Sequence, residues 1–563
     1  MAVTNRSETI HRDEAARRIA ADPIGLEILW TRLIAIADEA ATTLVRTSFS
    51  PIVRESNDYS CAIFNRVGET VAENTIGIPS FNVTMQRTLQ ELIRRRGYDL
   101  WAPGDVIITN DPWLCTGHLP DITMFMPIFL GQDLVGWAGS IAHMADIGGA
   151  GWRADTRDVY EEGIFLPPTF FFRAGERNEE LIELLRYNVR LPDEVVGDLM
   201  AMRAAVGTAA DQLRSLMEEL GLADLEIVSE EIFSRAETAM RKAIAAVPDG
   251  VYRATVDMDG TGEEPIRLSV TVTVAEDTLD IDYAGTSPQV AKALNTVMNY
   301  TEAYSAYPLK CALDPHTPRN AGSYRSVTVT APQGSILNPQ FPAAVNARQI
   351  VGHMLSAVLY EALVDVLPSQ VIAESGSAPT LRVVITGARA DSSRFSSILF
   401  VSGGMGARPN MDGLSGTCFP SMVVCGSMEA LEVNAPIRVW RKELAENTGG
   451  AGKYRGGLGQ SVRLELLGER PAMLSLFVDR VEHPARGLKG GLPGGASSVW
   501  VNGAKDGFPL KGRSALKPGD VIDVRYPGGG GFGPPTERSP QALAADVESG
   551  LVSAEVAKEV YGQ

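Results

Sequence analysis

"NDPWLCTGHLPDITMFMPIFLGQDLVGWAGSIAHMADIGG", residues 110–149, decides the reading of this chain. Two apolar runs, "ITMFMPIFL" and "LVGWAGSIAHM", flank a "GQD" turn, and their length and composition predict two strands of a hairpin. Gly117 and Pro120 place His118 and Asp121 in a turn just before the first strand. His143 stands at the end of the second strand. A hairpin of that length returns the chain beside its start, so His143 can meet His118 and Asp121. Two imidazoles and one carboxylate suit Mn, Fe or Zn and leave positions open for water and substrate. The plainer alternative is that all three are hydrogen-bonded residues of a large core. Cys115 lies in the same turn. It reads as a small buried residue, with a nucleophile or ligand as the alternative.

Outward from the hairpin the pattern stays mixed. "YSCAIFN" and "ETVAEN" predict a further hairpin, "DVIITND" a strand, and "FNVTMQRTLQELIRRRG" a helix ending at Gly97. Upstream, Asp22 and Pro23 open a long amphipathic helix with Leu26, Leu29, Leu33, Ile36, Ala37, Ala40 and Leu44 on one face. Residues 178–247 read as helical, either a bundle or a protruding hairpin. Strands resume at "GVYRATVDM", and the tail from about 430 is rich in glycine and short strands. The fold class is therefore α/β in the mixed α+β sense, with several subdomains, an N-terminal amphipathic helix, a helical insertion and a Gly-rich β tail. The divisions drawn are an N-terminal helical segment 1–48, an α/β metal-site region 49–175, a helical region 176–248, a mixed region 249–430, a Gly-rich β region 431–537 and a helical tail 538–563.

Composition narrows the function. The 563 residues carry 51 basic and 69 acidic side chains, a net charge of −18, which argues against nucleic acid or an anionic membrane as partner. No stretch reaches the roughly 18 apolar residues of a membrane span. The polar N-terminus lacks a secretory core, and five scattered cysteines without a CxxC fit a reducing, cytoplasmic location. "NTGGAGKYRGGLGQ" fails the phosphate-loop pattern, because Tyr454 follows Lys453 and a strand rather than a helix comes next. Its glycines, like those of "YPGGGGFGPP", predict tight turns or close backbone approach. There is no GxSxG nucleophile elbow. His353 reads as a core histidine, His316 and His483 as loop residues, and His11 as solvated.

The stretches "ESNDYSCAIFN", "ITNDPWLCTGHLPDITMFMPIF", "GWAGSIAHMADIGG", "PHTPRNAGSYRSVTVTAPQGSILNPQFPAAVNAR", "AENTGGAGKYRGGLGQSVRLEL" and "YPGGGGFGPPTER" resemble, in order, the hydantoinase B/oxoprolinase family. The resemblance covers about residues 23–562. It implies that His118, Asp121 and His143 hold a divalent metal. Asp58 and Asp111 are candidates to orient an imidazole and Asp146 is a possible further ligand, with the capping of a turn an equal alternative for each. It implies the B subunit of an ATP-dependent cyclic-amide hydrolase acting on a small molecule, ATP being bound by a hydantoinase A-type ATPase partner in a hetero-oligomer. Asp111 or Asp146 would then serve as the catalytic base. The family also includes subunits of ketone carboxylases, and a non-catalytic scaffold for the A subunit is a further class. One departure stands out. Many relatives carry histidines around the dipeptide that is Ile78–Pro79 here, where this chain has Gly77, Ser80 and Phe81.

Overall fold

Asp22 opens the first long helix, α1 (Pro23–Thr47), by accepting the N–H of Ile24 at 3.1 Å, with Pro23 at the first helical position. The computed structural model describes residues 14–262 and 264–562; His11 lies outside the described residues. Leu26, Leu29, Leu33, Ile36, Ala37, Ala40 and Leu44 are all buried along one face of α1. Truncating a fully buried leucine there, such as Leu33, costs about 2–5 kcal/mol in lost transfer energy and cavity formation.

That face packs against an antiparallel sheet and a second long helix. The strands are β1 (Tyr59–Asn65), β2 (Thr70–Glu73), β3 (Val106–Thr109), β4 (Asp121–Leu130), β5 (Asp133–His143), β6 (Thr169–Arg173) and β7 (Glu176–Arg177). Their order is β2-β1-β5-β4-β3-β6-β7. Strand β1 is buried along its whole length, and β4 and β5 along most of theirs, because the sheet is covered on both faces. Ile63, Met124 and Ala138 point toward α1 and α3 (Pro192–Leu220). Phe64, Phe125 and Trp137 point the other way, toward α2 (Pro79–Arg96), which Gly97 terminates. The helices of the 178–247 stretch therefore do not protrude: α3 lies on β4 and β5.

The β4–β5 hairpin carries one irregularity. Ile128 pairs with Gly136 but Phe129 with Leu134, a bulge that sets the register beyond it. From there the ladder runs without a break to its last pair, Asp121 opposite His143.

From Gly250 onward the chain adds three four-stranded sheets. One of them pairs Arg382–Ala388 with Ala472–Phe477, so a single sheet takes strands from both sides of residue 430. The glycine runs pack backbone on backbone. A Cβ on Gly456 would sit 1.9 Å from the carbonyl oxygen of Gly529, so only glycine fits there. The architecture as a whole is mixed α+β, with twelve α-helices among the described residues.

Candidate metal centre

The hairpin places Asp121 and His143 side by side, and the turn before β4 swings His118 over both. Gly117 has φ +91°, and a Cβ there would stand 2.9 Å from Cδ of Arg348, so the turn needs glycine to let the arginine pass. Asp121 Oδ1 lies 2.8 Å from His118 Nε2 and 2.8 Å from His143 Nδ1. Its other oxygen accepts from Arg348 Nη2 at 2.6 Å and from Thr116 Oγ1 at 2.7 Å. All three side chains are buried, and a ligand atom from each lies within 4.8 Å of the others.

The protonation pattern shows what the cluster lacks. His118 Nδ1 is 3.1 Å from the carbonyl oxygen of Asn346, so that nitrogen donates its proton and Nε2 is left bare. Burial, helped by the nearby Arg348 charge, pushes His118 down to about 4 despite Asp121, so the ring is neutral at pH 7. Burial alone would push Asp121 up. The charge of Arg348 and the hydrogen bond with His143 outweigh it and hold the carboxyl well below its usual range. A bare nitrogen and a carboxylate oxygen thus face each other at 2.8 Å with no well-formed hydrogen bond to Nε2. Two lone pairs at that distance repel unless a cation is bound to both. The residues fit a divalent metal on this ground, and they carry the outer support such sites use: an imidazole N–H on a carbonyl and a carboxylate tied to an arginine.

The cluster lines a cavity with about 40 Å³ of water-accessible space, walled also by Asp58, Ser80, Phe81, Tyr300 and Gln349. The carboxyl of half-buried Asp58 is pushed up by burial, His143 opposing and Asp121 adding to the rise. Ser80 and Phe81 lie in this wall, whereas Gly77 packs against Ser60 and Asn74. His353 lies there too, hydrogen-bonded to Thr380 and Tyr300, with burial holding it well below its ordinary value. Cys115 is buried, and burial raises its thiol to about 12, so it is neither a thiolate nucleophile nor a ready ligand at neutral pH.

The two other acids suggested by sequence sit elsewhere. Asp111 does not line the cavity; its carboxylate caps a turn by accepting the N–H of Trp113 at 3.0 Å. Asp146 is held by Arg190 at 2.8 Å. It lines a larger cleft of about 500 Å³ that shares His143 and Trp152 with the inner cavity. The same cleft holds Arg394, Arg470 and Arg513, none of which forms an ion pair with a carboxylate among the described residues. Burial and the charges of Arg153 and Arg190 press Arg513 below its ordinary value, against Asp155.

Sequence reasoning missed the supports of the site. Glu162 accepts the N–H groups of Val345 and Asn346 at 2.8 and 2.9 Å and the hydroxyl of Thr156 at 2.8 Å. This fixes the Asn346 carbonyl, which also accepts from Trp152 Nε1 at 2.9 Å. The available signal was "FPAAVNARQI", 341–350, which holds Asn346, Arg348 and Gln349 together.

As a class, the fold and the site define a large α+β protein with a buried candidate metal centre beside an arginine-lined cleft. The chain belongs to the hydantoinase B/oxoprolinase family, whose model matches residues 22–535. It is 30% identical to the B subunit of a putative D-/L-hydantoinase from Pseudomonas sp. (strain NS671), over 96% of this chain and 95% of that one. The crystal structure of the ATP-dependent caprolactamase from Pseudomonas jessenii superposes with a TM-score of 0.88 at 29% identity, covering 96% of each chain. A nucleotide-free acetone carboxylase structure shares the fold, with a TM-score of 0.87 at 20% identity over 99% of this chain and 83% of that one.

Proposed function

We propose that the chain is the metal-bearing B subunit of an ATP-dependent hydrolase of cyclic amides, working with an A-type ATPase subunit that activates the substrate by phosphorylation. The observation that carries this is the bare Nε2 of His118 facing Asp121 Oδ1 at 2.8 Å, inside a cavity that abuts a carboxylate-poor arginine cleft. The hydantoinase and caprolactamase relatives support the cyclic-amide class. His118, Asp121 and His143 would hold a divalent ion such as Mn, Zn or Fe, which would supply Lewis acidity for the carbonyl and for water.

The chain's own residues do the rest. Arg348 keeps Asp121 ionised and oriented. Asp58, with its raised carboxyl, takes the proton-accepting role that the sequence suggested for Asp111 or Asp146, since those two are committed to a turn and to Arg190. Arg394, Arg470 and Arg513 receive the oxyanion of the activated substrate. The products are the ring-opened acid, an amino acid from a lactam or an N-carbamoyl amino acid from a hydantoin, with ADP and phosphate. We place the complex in the cytoplasm, where the five free thiols stay reduced. No described helix is long and apolar enough to cross a membrane.

The test is reconstitution with the cognate A subunit in bicarbonate-free buffer, assaying ATP turnover and ring opening on a panel of lactams and hydantoins. Ring opening that needs both proteins is the expected result. Strict bicarbonate dependence with a new carboxylate on a ketone would assign the carboxylase branch instead. Full activity of the A subunit without metal on this chain would reduce it to a scaffold.

A further inference from the structure

Two arginines stand in the wall of the inner cavity, and only one has its charge met. Arg348 is paired with Asp121 at 2.6 Å. Arg382 is 4% exposed and forms no ion pair among the described residues, although Asp58 shares the wall. Its hydrogen bonds run from Nη1 alone, to the carbonyl oxygens of Leu381 at 3.3 Å and Val401 at 3.5 Å. Nε and Nη2 donate to no described residue, and the guanidinium carbon lies 4.9 Å from the centroid of the Phe400 ring. Taking a guanidinium out of water is costly unless an anion pairs with it, so one kept bare beside a candidate metal points to an anionic ligand. The neighbouring open groups agree in kind. Gln349 Nε2, Ser80 Oγ and Tyr304 Oη are buried without a well-formed hydrogen bond, and all three can donate.

We propose that Arg382 binds the phosphoryl group carried by the activated substrate, with Gln349, Ser80 and Tyr304 as further donors. This rests on the reading above that the partner subunit phosphorylates the substrate, and deepens it. The free Nε and Nη2 form a planar fork that meets two phosphoryl oxygens through parallel hydrogen bonds. The cavity's water-accessible space of about 40 Å³ holds about three waters, as many as a phosphoryl group has terminal oxygens. Arg394, Arg470 and Arg513 of the larger cleft meet the same group on its way in. His143 and Trp152 line both spaces, so a substrate seated phosphoryl-inward leaves its ring toward the cleft. Arg382 makes and breaks no covalent bond. It keeps the activated substrate from escaping, since an escaped one reacts with water at its O–P bond and gives back the cyclic amide and free phosphate.

The experiment titrates inorganic phosphate into the full chain as purified, by calorimetry, and counts ATP consumed per ring opened in the reconstituted complex. In Arg382→Gln, phosphate affinity falls on the order of tenfold or more, metal content is unchanged, and more ATP is consumed per ring opened. Arg382→Lys keeps the charge but loses the fork; its phosphate affinity falls severalfold, and it serves if the glutamine variant misfolds. A purely structural arginine would lower stability and leave phosphate affinity alone. Equal phosphate affinity in wild type and the folded variant overturns the inference, and so does binding of bicarbonate in place of phosphate. Phosphate binding that depends on Arg382, in a wild-type complex that opens no cyclic amide, sustains the anion site and overturns the cyclic-amide reading alone.

Discussion

Asp121 and His143 are the last register pair of the β4–β5 hairpin, and Oδ1 of one lies 2.8 Å from Nδ1 of the other. Backbone pairing therefore fixes two of the three candidate ligands before any ion binds. His143→Ala and His118→Ala should each lose most bound divalent metal, measured by elemental analysis, while circular dichroism stays native. Stoichiometric metal in both variants would refute the site.

Asp121 also balances a buried charge. Asp121→Asn leaves the Arg348 guanidinium, 4% exposed, without its carboxylate. The metal-free protein should lose about 3–5 kcal/mol of stability in denaturant titration. A loss below about 1 kcal/mol would show that the pair is not coupled to folding.

His118 sets a pH limit. Its folded value of about 4 lies below the ordinary 6.5, so the fold favours the neutral ring. That contribution is fully present above about pH 6.5 and drains away as the pH falls toward 4. Unfolding of the metal-free protein should become easier across this window, and less steeply so in His118→Ala. Metal affinity should fall in the same direction, because protons compete for the imidazole. Equal slopes in wild type and variant would assign the acid sensitivity to other groups.

Glu162 is a positioning residue. Glu162→Ala frees the Asn346 carbonyl that fixes the His118 ring, and should weaken metal binding about 10–100-fold without removing any ligand. Competition with a chelating dye reads this directly. Unchanged affinity would mean that the 345–346 backbone is held by other contacts.

The arginine cleft separates binding of the activated substrate from metal chemistry. In the reconstituted complex, Arg513→Ala combined with Arg470→Ala should slow ring opening at least tenfold at unchanged metal content. Undiminished turnover would remove these arginines from the substrate's path.

The hairpin was legible in the sequence because strand alternation, the "GQD" turn and the Gly/Pro turn before β4 are all local signals, and they sufficed to bring His118, Asp121 and His143 together. The outer supports were not legible. Arg348 and Asn346 reach the site from more than 200 residues away, and nothing local in "AAVNARQI" says which side chain will find a carboxylate. Asp111 reads from its neighbourhood equally as a base or as a turn cap, and the structure shows the cap: an aspartate two residues before a free N–H satisfies that group, as it does with Trp113. The strand at Arg382–Ala388 went unseen although one partner, Arg394–Leu399, is the other arm of a local hairpin; its second partner, Ala472–Phe477, lies about ninety positions downstream.

The bulge between Ile128 and Phe129 divides the hairpin into two zones of unequal evolutionary freedom. On the turn side, residues can be gained or lost and the irregularity can absorb the change. On the site side, a single insertion between Gly136 and His143 would rotate the histidine to the opposite face of the sheet, away from Asp121. Descendants of this chain can thus remodel the tip of the hairpin at little risk, while the rungs leading to Asp121 and His143 work as a ruler whose length cannot drift.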